Sequence, residues 1–83
     1  MASVFPNPFV ESLQVSATLD TPGYLFCELT DAVGKVVAQQ PMGWQAKGAF
    51  NGTWEVLALA PGMYTCKILK DDEVLLTMPL LKR

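Results

Sequence analysis

Hydrophobic residues recur in this chain at every second position, and that period limits what it can fold into. Leu13, Val15, Ala17 and Leu19 alternate with Gln14, Ser16 and Thr18, which is the pattern of a strand with one face buried and one face wet. Leu25, Cys27 and Leu29 repeat it against Glu28 and Thr30, and Tyr64, Cys66 and Ile68 repeat it against Thr65 and Lys67. Trp54 and Val56 share a face in the same way, and Val36 and Val37 lie on opposite faces. Leu57-Ala58-Leu59-Ala60 has a local helical tendency, but Pro61-Gly62 leaves it no length to form a helix.

The punctuation between these runs is turn chemistry. In Thr21-Pro22-Gly23-Tyr24, Pro presets φ at the first central position and Gly accepts a positive φ at the second. Asp31-Ala32-Val33-Gly34 fits a tight hairpin in which Asp bonds its own backbone and Gly34 takes the left-handed position. Asn51-Gly52 is a strong short-range hairpin signal, and Asp71-Asp72-Glu73 makes a charged turn. Pro61-Gly62 suits a type II turn, with Tyr64 anchoring the next strand in the core. Pro41 ends the strand from Lys35 to Gln39 or marks a sheet edge, and the stretch from Met42 to Ala49 is irregular. Pro6 and Pro8 hold Phe5 and Asn7 extended, as a stiff lead-in strand. The expected fold is all-β: an immunoglobulin-like antiparallel β-sandwich of about seven strands, one domain over residues 1–83.

Composition narrows the chemistry. An apolar fraction of 51% supplies a core, and charged residues are only 17%, below the roughly 25% of an average domain. Six basic and eight acidic residues leave a net charge of −2, so the electrostatic drive for nucleic-acid binding is missing. The N-terminus has no cationic start and its apolar run is broken by Pro6 and Pro8, so it does not read as a secretory signal. Nor is any stretch long enough for a spanning helix, which needs roughly 20 apolar residues. The chain is therefore expected either to stay inside the cell or to be one piece of a longer precursor with its export signal elsewhere.

Candidate reactive groups are few. The chain has no His, which removes His-based acid–base chemistry, and Ser3, Ser12 and Ser16 have no recognisable base. Asp71, Asp72 and Glu73 lack the alternating spacing of a calcium loop and read as a solvated hairpin tip. No metal or cofactor is expected. Asn51-Gly52-Thr53 formally matches a glycosylation acceptor, although a turn accounts for the same residues. Trp44, Trp54, Tyr24 and Tyr64 could form a sugar-binding platform; Trp54 and Tyr64 fall on inward positions, where an aromatic more often fills a core. Cys27 and Cys66 both point inward, as two small buried hydrophobes or as a disulfide across the sandwich.

Three ordered signals resemble the C-terminal sorting domain of type IX secretion cargo. Phe5-Pro6-Asn7-Pro8-Phe9 is similar to the family's opening aromatic-Pro-Asn-Pro motif. Leu29-Thr30-Asp31-Ala32-Val33-Gly34-Lys35-Val36-Val37 is close to its strand–Asp–x–x–Gly–basic–aliphatic hairpin, and Leu59-Ala60-Pro61-Gly62-Met63-Tyr64 to its Leu-x-Pro-Gly-x-Tyr turn. A last strand ending in Leu81-Lys82-Arg83 completes the pattern, which spans nearly the whole chain. Departures are small: Cys27 and Cys66 stand where aliphatic residues are common.

The resemblance implies a recognition domain, not an enzyme. A longer precursor would enter the periplasm by its own signal peptide, and this domain would dock on the outer-membrane translocon. A sortase-type peptidase would in many cargoes then cut upstream of Val4 and join the mature protein to a surface lipopolysaccharide. Other members of the family keep the domain, so it is expected to be either cleaved or retained with its cargo. Pro6, Asn7, Pro8, Asp31, Gly34, Pro61, Gly62 and Tyr64 carry the family motif, and Leu80, Leu81, Lys82 and Arg83 are the expected recognition residues. The last strand, Val74 to Leu81, has more apolar residues than one buried face absorbs, and Pro79 places it at an edge. Translocon docking and self-association through an edge strand follow as expectations. The rival reading is a carbohydrate-binding or structural accessory domain of the immunoglobulin or fibronectin kind.

Overall fold

The alternating runs become seven strands: β1 Ala2–Phe5, β2 Ser12–Leu19, β3 Gly23–Thr30, β4 Val36–Gln45, β5 Gly48–Glu55, β6 Gly62–Lys70 and β7 Glu73–Lys82. The structure, a computed structural model, describes residues 1–56 and 58–83, and there is no helix among the described residues. Strands β1, β2 and β5 form one antiparallel sheet in the order β1-β2-β5, and the other four form a second in the order β4-β3-β6-β7. Pairing of the second strand with the fifth, opposite a sheet that joins the third, sixth and seventh, is the immunoglobulin-like arrangement.

The core lies where the two-residue period put it. Leu13, Val15, Ala17 and Leu19 of β2 face Leu25, Cys27 and Leu29 of β3 and Cys66 and Ile68 of β6 across the sandwich. Val4, Phe9, Trp54, Val56, Tyr64 and Leu80 complete the buried cluster. The polar members of each alternating pair cover the outside, so one pattern both drives the sheets together and leaves them wettable.

The Asn51-Gly52 turn is overturned. Both residues lie inside β5, which pairs with β2 without interruption from Ser12↔Glu55 to Leu19↔Gly48. Gly52 is small there because the Phe50 ring lies over it: an added Cβ would sit 2.8 Å from the Phe50 Cζ. An aromatic over a strand glycine covers the gap that the missing side chain leaves. The chain changes sheets instead between Gln45 and Gly48.

Gly23 is likewise a strand residue, the first of β3, and not the left-handed residue of a turn. Its lack of a side chain admits the β6–β7 turn, since a Cβ would meet the Asp71 carboxylate and lie 2.8 Å from Lys70 Cγ. Strand β4 does not stop before Pro41. It runs on to Gln45 through register shifts opposite Leu25/Phe26 and Leu29/Thr30, along a sheet edge where Pro removes no needed donor. Gly62 has φ 152°, well past the value near +80° of a type II turn, and already pairs with Lys82 as the first residue of β6. Of the helical tendency at 57–60, Leu57 lies outside the described residues, and Ala58 to Ala60 are turn and coil.

The cysteines do not meet across the sandwich. Cys27 sits opposite Ile68 and Cys66 opposite Leu29, so they are diagonal neighbours on adjacent strands of one sheet, and both thiols are free. Diagonal positions stand roughly 7–8 Å apart, beyond the usual reach of a disulfide.

Candidate functional site

The motif residues converge on one end of the sandwich. At that end Gly62 pairs with Lys82, and Thr30 pairs with Thr65, which in turn pairs with Pro79. The Asp31 hairpin and the turn before β6 therefore flank the end of β7, and residues of both line an open cleft of about 260 Å³ that includes Asp31, Val33, Pro61 and Tyr64.

The expected lead-in strand ends at Phe5, and residues 6–10 leave the sheet as a strap across the outer edge of β7. The Phe5–Pro6 and Asn7–Pro8 peptide bonds are cis. Asn7 Nδ2 donates to the Pro79 carbonyl at 3.1 Å, and the Leu81 amide donates to Asn7 Oδ1 at 2.9 Å. One step on, the Phe9 amide donates to the Leu81 carbonyl and the Arg83 amide donates to the Phe9 carbonyl, each at 2.9 Å. Phe9 and Lys82 thus form a parallel bridge, and the Phe9 ring is fully buried.

The residue types follow from what the edge offers. Pro79 has a carbonyl but no N–H, so an incoming backbone could not complete a regular ladder there. A side-chain amide, which carries both donor and acceptor, matches the carbonyl of Pro79 and the N–H of Leu81 together. A carboxylate could only accept. The strap closes the edge of the terminal strand where the ladder would otherwise fail.

This joint decides how the four expected recognition residues are displayed. Leu80 is fully buried, and Lys82 is only 7% exposed, its Nζ reaching the Arg83 carbonyl at 3.0 Å. Leu81 and Arg83 point outward, with Leu81 directly opposite the exposed Met63. The four therefore divide into two anchors and two that face solvent. Lys82 keeps its aliphatic stem inside while its ammonium reaches the rim.

The other motif residues hold the frame. The Asp31 carboxylate accepts the amides of Val33 and Lys35, both at 3.0 Å, and Gly34, at φ 87°, returns its amide to the Asp31 carbonyl. The Tyr64 hydroxyl donates to the Ala60 carbonyl at 2.5 Å. A tyrosine early in the sixth strand, bonded to the backbone a few residues upstream, is the tyrosine corner of immunoglobulin-like sandwiches. Sequence reasoning found Tyr64 as a core anchor and missed this bond; the Pro61-Gly62 step just before it was the available signal. It missed the strap too, because nothing local ties Asn7 to Leu81.

Among the described residues no cluster of His, Cys, Asp and Glu could hold a metal ion. Burial pushes the Cys27 thiol up to about 11, and burial with the neighbouring Cys27 pushes Cys66 up to about 12, so neither is a ready thiolate. The four aromatics of the sugar platform are split: Trp54 and Tyr64 are buried, while Tyr24 and Trp44 form an exposed cross-strand pair at the opposite end.

The profile of the secretion system C-terminal sorting domain matches residues 3–78 of the chain. The chain belongs to this family. A search of curated proteins found no match. The sorting domain is the C-terminal signal of type IX secretion, so it is recognised by that machinery and directs export through the outer membrane to the cell surface or the medium. The matched span takes in the strap, the Asp31 hairpin, the tyrosine corner and most of β7.

Proposed function

We propose that the type IX translocon reads the strap-and-tail end of this domain, through Leu81 and Arg83 as contacts and through Leu80 and Lys82 as the anchors that fix them. The supporting observation is the joint itself: four hydrogen bonds between Asn7 and Phe9 on the strap and Pro79, Leu81 and Arg83 tie down the end of β7. A preorganised segment loses little entropy on docking. Next to it, Met63 and Leu81 give an apolar contact and Arg83 a directional cation.

On this reading the domain carries no reaction of its own. A longer precursor reaches the periplasm by a separate signal peptide and the sandwich folds there. After translocation the domain either stays with its cargo or is cut off upstream of Val4 by a sortase-type peptidase that joins the cargo to a surface lipopolysaccharide. The test fuses residues 1–83 to a periplasmic reporter in a bacterium with the system and compares it with the Leu81→Asp/Arg83→Glu form. Because both side chains face solvent, the variant should melt like the parent yet leave the reporter in the periplasm. Secretion equal to the parent's would overturn the assignment. Deleting residues 80–83 is the blunter comparison, since it also removes the buried Leu80.

A further inference from the structure

Each sheet of the sandwich has two outer edges, and three of the four are blunted. Strand β7 has Pro79, a register shift at Ile68/Leu69 and the Asn7–Phe9 strap. Strand β4 has Pro41 and two register shifts, and β1 is only four residues long. These are the usual devices that stop sheets from adding strands. Strand β5 has none. It is eight residues long, lacks Pro, pairs with β2 without a register shift, and carries no charge between Lys47 and Glu55.

The parity of its free backbone groups can be read from one bond. The Val56 amide donates to the Glu11 carbonyl at 2.8 Å, and 56 and 11 continue the β2–β5 register. Even-numbered residues of β5 therefore turn their backbone groups toward β2. Ala49, Asn51 and Thr53 turn theirs away, and among the described residues no hydrogen bond reaches them. Their side chains are exposed on the outer face of the sheet.

We infer that β5 pairs with β5 of a second copy, antiparallel about a two-fold axis at Asn51. Only even-sum registers bring outward groups opposite one another; those centred on Asn51 and on Gly52 each pair seven residues of the strand, and the charges at its ends choose the one on Asn51. It sets Asn51 against Asn51 of the second copy, and Ala49 against Thr53. Phe50 then falls opposite Gly52, repeating the ring-over-glycine contact that the strand already makes within itself. At both ends it places Lys47 opposite Glu55. The neighbouring even-sum registers lose that match, so charge selects the Asn51 alignment. The result is a continuous six-stranded sheet with the strap-and-tail end of each copy left open.

The experiment measures mass in solution from micromolar to millimolar protein, with hydrogen exchange resolved by residue. The mass should rise from the 9.1 kDa monomer toward twice that value, and the amides of Ala49, Asn51 and Thr53 should become protected as it rises. Lys47→Glu turns two attractive pairs into repulsive ones and should weaken association by roughly ten- to thirty-fold. Lys47→Glu/Glu55→Lys should restore it, which no merely structural effect of either change would do. A monomer at all concentrations overturns the proposal. So does a dimer whose protection falls on β4 or β7, or one indifferent to the charge reversal. None of these outcomes depends on the tail being the translocon contact.

Discussion

Asn7→Ala removes the two side-chain hydrogen bonds that seat the strap on β7, and its cost can be worked from the structure. Asn7 is exposed, so the freed Pro79 carbonyl and Leu81 amide can turn to water and neither becomes a buried orphan. Each bond then contributes near the ordinary net value, and the pair about 1–2 kcal/mol. Spread over 83 residues, a total stability of roughly 4–12 kcal/mol is expected, so the domain should remain folded. The melting temperature should fall by roughly 4–16 °C. Hydrogen exchange gives the sharper reading. The Leu81 amide points to Asn7 and away from β6, so its protection rests on this side chain alone. In Asn7→Ala it should exchange much faster, while the amides shared between β3 and β6 stay protected. Asn7→Asp keeps the acceptor for Leu81 and loses the donor to Pro79, so it should keep part of the Leu81 protection. If both variants melt and exchange like the parent, the strap does not hold the tail and the reasoning fails.

Tyr64→Phe deletes the hydroxyl bond to the exposed Ala60 carbonyl and should cost about 1 kcal/mol in a urea melt; no change would mean that the corner is idle. Gly23→Ala drives a methyl against the Lys70 stem and the Asp71 carboxylate, and should cost about 1–3 kcal/mol by the same assay. The raised thiol values favour the protonated form in the folded state, so stability should be level below pH 9 and fall as pH rises from 9 toward about 12. Consistent with that, iodoacetamide at pH 8 should leave Cys27 and Cys66 unmodified in the native protein and alkylate both in urea.

The period of two was enough to read the sandwich, because every inward residue it nominated in β2, β3 and β6 makes a core contact that depends only on facing inward. The Asp31–Gly34 hairpin was legible for a different reason: its carboxylate, its glycine and the bonds between them lie within five residues. Asn51-Gly52 and Pro22-Gly23 misled because the glycines answer to distant neighbours. Gly52 makes room for Phe50 on a strand whose partner is β2, and Gly23 makes room for a turn 48 residues further on, at Asp71. At the candidate site the motif residues could be picked out one at a time, but not their convergence. The contact between Asn7 and Leu81 closes a separation of 74 residues, and no local preference of either residue specifies it. For the same reason the sequence could nominate Leu80 to Arg83 as a group and could not divide them into buried anchors and outward contacts. That division depends on the register of β7 against β6 and on the strap.

The most direct measurement is where a folded reporter carrying residues 1–83 ends up in a bacterium with a working type IX system, compared with the same strain lacking its outer-membrane translocon. The reporter should reach the cell surface or the medium in the first strain and stop in the periplasm in the second. Reporter that stays in the periplasm of both, with the sandwich intact by limited proteolysis, would contradict the account.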